Sequence, residues 1–69
     1  PNHVNALYNL GAAYYNQAVE LRNADGATNE TAVEELKMSR KYLEQVEVLS
    51  PGNETVQNSL AVIKEILQD

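Results

Sequence analysis

The sequence predicts an all-α fold of three helices. Three observations carry that reading. Apolar residues recur at every third or fourth position through three stretches, turn formers separate the stretches, and no segment alternates apolar and polar residues as a strand would. The first helix is expected from about His3 to about Asn23, with Leu7, Leu10, Tyr14, Ala18 and Leu21 along one face. No proline interrupts it. Asn23-Ala24-Asp25-Gly26-Ala27-Thr28 then breaks the pattern, and Gly26 is suited to positive φ just past the helix end.

The second helix is expected to begin near Thr31. Thr31-Ala32-Val33-Glu34 fits a capping box, in which hydroxyl and carboxylate each satisfy a free amide of the first turn. Ala32, Leu36, Ser39, Leu43, Val46 and Leu49 form its inner stripe. Ser50-Pro51-Gly52 ends it, because proline disfavours helical geometry in the residue before it. The third helix is expected from about Asn53, a good N-cap, with Glu54 near the positive end of the helix dipole. Val56, Leu60, Ile63 and Leu67 line one face, widened by Val62 and Ile66.

Composition narrows the function. A chain of 69 residues makes one domain at most and buries a small core. It has no cysteine, so neither a disulfide nor a thiolate metal site staples it, and the redox compartment stays open. Ten acidic residues oppose five basic ones, a formal charge of −5 that argues against nucleic-acid binding. No apolar run approaches membrane-spanning length, so membrane insertion is not expected. The start at Pro1 rather than a methionine reads as a piece of a longer protein, with any targeting signal upstream.

One motif goes further. Leu7-x-x-Leu10-Gly11-x-x-Tyr14 is followed downstream by Ser39-x-x-x-Leu43, Val46 and Pro51. This order of apolar, small and aromatic residues resembles the tetratricopeptide repeat, whose signature runs W-x2-L-G-x2-Y, A-x3-F and P. Small Gly11 and Ser39 would let two helices approach closely, and Pro51 would fix the turn between repeats. Pro1 and Pro51, like Leu10-Gly11 and Leu60-Ala61, are offset by 50 positions, against about 34 in a standard repeat. The roughly 16 extra residues fall around 21–35 and imply helices lengthened by a turn or two, with a tip near Asp25-Gly26.

The resemblance implies an antiparallel helix-turn-helix repeat plus a capping helix, a fragment of an α-solenoid. Residues 1–50 would form one elongated repeat and 53–69 a terminal helix, together the C-terminal portion of a longer array. The sequence departs from the pattern at Leu7, which replaces the tryptophan, and at Val46, larger than the usual alanine. In the third helix Gln57 and Lys64 stand where Leu7 and Tyr14 stand in the first, which suits a terminal helix turning its outer side to water.

Such repeats bind proteins or peptides and carry no cofactor. In the family, one face of the first helix lines the concave groove; here that face carries Asn5, Tyr8, Asn9, Ala12, Tyr15 and Asn16. Relatives that capture a C-terminal carboxylate add lysine and arginine, and this face has neither. It suits an extended, weakly charged segment, because asparagine both donates to and accepts from a peptide backbone and tyrosine offers flat apolar area. Two readings of Tyr8 and Tyr15 stand: ligand contact, or packing against a preceding repeat. Asn9 likewise either meets a partner backbone or hydrogen-bonds within the chain. A rival to the binding reading is a structural helical cap or oligomerisation element. The apolar side of an isolated fragment is expected to drive self-association.

Other chemistry is thin. His3 has no second histidine or cysteine to share a metal. Asp25-Gly26 with Asn23 and Asn29 lacks the oxygen spacing of a calcium loop and reads as a turn. Asn29-Glu30-Thr31 and Asn53-Glu54-Thr55 match the glycosylation acceptor pattern, yet both fall where helix caps belong. Glu30, Glu34, Glu35, Lys37, Arg40, Lys41 and Glu44 form a mixed-charge solvated face. Ser39, Ser50 and Ser59 have no histidine partner, so no enzyme is expected.

Overall fold

A computed structural model of the chain describes residues 2–25 and 30–68. Three helices follow in order: α1 (Asn2–Asp25), α2 (Glu30–Leu49) and α3 (Glu54–Leu67). No strand occurs among the described residues, and the chain is all-α. The stretch read as an insertion is helical on both sides of residues 26–29. Gly26 of the expected tip, the Asn29 glycosylation pattern and the matched Pro1 lie outside the described residues. Thr31 sits inside the first turn of α2 rather than at its cap, since the helix already begins at Glu30. That corrects the capping-box reading. Glu30 puts a carboxylate on the positive end of the helix dipole, which favours the earlier start.

The turn into α3 follows from three residues. Pro51 cannot continue α2. Gly52 adopts φ +94°, where a Cβ would be strained, although nothing crowds the position. Asn53 is extended at φ −78°, ψ 110°, and its side-chain oxygen accepts from the Val56 amide at 3.1 Å. A cap of this kind is worth about 1 kcal/mol. At the far end Gln68 takes a left-handed conformation and its amide donates to the Lys64 carbonyl.

α2 is the central element, packed on α1 along one flank and on α3 along another. The core comprises Leu7 and Ala18 from α1, Ala32, Leu36, Leu43 and Val46 from α2, and Val56 and Ile63 from α3. The α1–α2 crossing is built on small residues. Gly11 is buried, and a Cβ there would lie 2.7 Å from Leu43 Cδ2. Ser39 is buried beside it and donates its hydroxyl to the Gly11 carbonyl at 2.7 Å. Tyr14 and Tyr42 stack across the same pair of helices, with ring centroids 5.9 Å apart and planes 7° from parallel. At the α2–α3 end, Glu47 Oε1 accepts from Gln57 Nε2 at 3.2 Å and from the Gly52 amide at 3.5 Å. The polar residue at 57 therefore ties α3 to α2.

Three expected core positions are corrected. Leu10 is 44% exposed and Leu49 is 55% exposed. At 100° per residue Leu10 lies on the side of Leu7 away from Gly11 and Ala18. The crossing is centred between those small residues, so Leu10 falls outside it. Leu49 is the last residue of α2 and points away from the stripe of Leu36, Leu43 and Val46. Val62, expected to widen the α3 stripe, is 39% exposed.

Candidate functional site

The six residues singled out on α1 divide by angle around the helix. Asn5, Asn9, Ala12 and Asn16 follow one another at spacings of four, three and four, so they line a single strip. Asn5, Asn9 and Asn16 are exposed and Ala12 is half-buried. Tyr8 and Tyr15, two turns apart, border that strip on its core side. Both are half-buried and pack against the hydrophobic core of this chain, beside Val4. The tyrosines therefore need no preceding repeat to hold them in place. They form a ledge with one side against the core and one side available.

The asparagines are held differently. Among the described residues, the side-chain amides of Asn5, Asn9 and Asn16 make no hydrogen bond to the rest of the chain. For Asn9 no intrachain hydrogen bond occurs among the described residues. Each amide keeps two donors and an acceptor for other company. None of the six residues is charged, so the strip is neutral within an acidic chain. Its chemistry is hydrogen bonding from a rigid helix, flanked by aromatic area.

The signature residues lie elsewhere. Leu7, Gly11, Ser39, Leu43 and Val46 are buried, Tyr14 is half-buried, and Leu10 and Pro51 are exposed. They build the scaffold that presents the strip. Ser39 is engaged with the Gly11 carbonyl and is no free nucleophile. Among the described residues no three His, Cys, Asp or Glu side chains come together as a metal site. Nor is any helix among them long and apolar enough to cross a membrane.

The sequence reading passed over a second surface. The outward side of α2 forms an open depression of about 590 Å³ lined by Lys37, Arg40, Lys41, Glu44, Gln45, Val48 and Leu49. From the sequence its charged residues read as a solvated face. The available signal was the spacing of Lys37, Lys41, Glu44 and Val48, at four, three and four, which lays cations and an apolar residue on one strip. No protein-family model matches the chain, and no curated protein or solved structure matches it at a significant level.

Proposed function

We propose that the chain is a protein-interaction module of tetratricopeptide type, a non-enzymatic scaffold that presents the neutral asparagine–tyrosine strip of α1 to an extended segment of another protein. The observation that carries the reading is the strip itself: three exposed asparagines with no hydrogen-bond partner among the described residues, beside two tyrosines seated on the core. The Gly11–Ser39 close approach supports the family resemblance, because it is the use the signature makes of small residues at those positions. A rigid helix face loses little conformational entropy on binding, which favours recognition by a few side chains.

Selection from a random peptide library against the chain tests this. The peptides recovered are expected to be weakly charged. Asn9→Ala and Tyr15→Ala should each weaken their binding by about tenfold, the scale of losing an anchoring contact. Recovery of acidic C-terminal peptides as the preferred ligands, or undiminished binding by both variants, would contradict the neutral-groove reading.

One observation favours the rival, an oligomerisation element. Leu10 is 44% exposed one turn from Tyr14, whose ring stacks on Tyr42, leaving apolar area on that side of the hairpin. Self-association through that side predicts a sedimentation mass above the monomer that falls to the monomer in Leu10→Lys. A monomer at high protein concentration removes the rival.

A further inference from the structure

We infer that the segment taken up by α1 is a left-handed polyproline II helix with proline at every third position. The inference rests on the α1 strip being the binding face and names the ligand conformation that fits it.

Tyr8-Asn9 and Tyr15-Asn16 are the same dipeptide, placed twice, seven residues apart. Two turns of helix return each pair to nearly the same angle, so α1 carries two like subsites about 10.5 Å apart. Ala12 falls between the tyrosines and the asparagines, both around the helix and along it. Its small side chain leaves a shallow trough there, with an aromatic wall on the core side and an amide wall on the other. The rings are half-buried and held by packing on the core. The amides of Asn9 and Asn16 are exposed and have no hydrogen-bond partner among the described residues.

A ligand must meet two demands at once: like groups about 10.5 Å apart, and free backbone groups for the amides. A β-strand fails the first. Its residues on one face recur at about 6.8 and 13.6 Å, which misses the subsites by about 3 Å either way. An α-helix matches the spacing at seven residues but bonds its own backbone, so it offers the amides no free backbone group. Polyproline II meets both demands. Its residues on one side recur every third position, about 9.3 Å apart, and its carbonyls have no internal partner. Proline supplies no N–H, so such a segment needs donors, and an asparagine amide has two. Pyrrolidine rings dock on aromatic surfaces of this kind. The strip carries no charge, so the segment needs none.

The probe is a fluorescent, uncharged proline-alanine-glutamine repeat of about nine residues, about 28 Å long in this conformation. It is titrated into the intact chain beside two peptides of the same length: an alanine-for-proline version, and an alternating threonine-glutamine peptide that favours a strand. Saturable binding of the proline peptide is expected, about tenfold tighter than either control and nearly independent of salt. Asn9→Ala with Asn16→Ala should lower its affinity about tenfold, with helicity by circular dichroism unchanged because both residues are exposed. Tyr15→Phe keeps the ring and should hold affinity within about threefold, whereas Tyr15→Ala should lose about tenfold. The inference is overturned by no saturable binding of the proline peptide at millimolar concentration, by equal binding of the alanine-for-proline peptide, or by undiminished binding in the double asparagine variant. If the threonine-glutamine peptide binds instead, and loses affinity in that variant, the α1 face stands as a binding site and the polyproline inference alone falls.

Discussion

Gly11→Ala is expected to destabilise the chain by about 1–3 kcal/mol, although alanine is the better helix former by about 1 kcal/mol. The new Cβ would stand 2.7 Å from Leu43 Cδ2 and 2.8 Å from Leu43 Cγ. Leu43 is buried and its Cγ sits near the root of the side chain, so it cannot simply swing aside. Relief requires α1 and α2 to move apart. That movement stretches the 2.7 Å bond from Ser39 to the Gly11 carbonyl and strands a buried hydroxyl, which costs about 1–3 kcal/mol on its own. Overpacking and the lost bond together exceed the propensity gain. A urea titration followed by circular dichroism checks it. A stabilised Gly11→Ala protein would mean that the two helices do not approach closely at this point.

Leu36→Ala should have the largest effect of any single truncation, a loss of about 3–5 kcal/mol. Leu36 is fully buried on α2, the helix that packs against both α1 and α3. Removing its branched end opens a cavity where neighbours on both sides must collapse to fill it. A single core in a domain below about 70–80 residues supplies at most about 3–5 kcal/mol in all. The variant should therefore be largely unfolded at room temperature. Val48→Ala on the same helix, at a position 80% exposed, should change stability by less than about 0.5 kcal/mol. Similar midpoints for the two variants would contradict the placement of the core.

The helices were legible because their signals are local. Periodicity marked all three, and Pro51, Gly52 and Asn53 marked the one described turn in both readings. The ends moved by one or two residues, to Asn2 and Asp25 for α1 and to Glu30 for α2. Caps compete over such distances at little energetic difference. Leu10 and Leu49 were misplaced for another reason. Periodicity fixes the angles among residues on one helix, but the direction the interface faces depends on where the partner helix crosses. Here the crossing follows Gly11 and Ala18, small residues that carry little hydrophobic signal. The Ser39 hydroxyl bond to Gly11 was hidden likewise, because its partner is on another helix and the pairing depends on their register. At the candidate site, spacing alone put the asparagines on one strip. That the Tyr8 and Tyr15 rings rest on this chain's own core required the packing.

The binding reading is tested most directly by mapping one library-selected peptide onto the chain through backbone and side-chain amide chemical shifts. The side-chain amides of Asn5, Asn9 and Asn16 and the backbone around Tyr8, Ala12 and Tyr15 should shift progressively as peptide is added. α3 should stay still. Shifts confined to the side of the hairpin bearing Leu10 and Tyr42, with the asparagine amides unmoved, would contradict the α1 strip as the binding face.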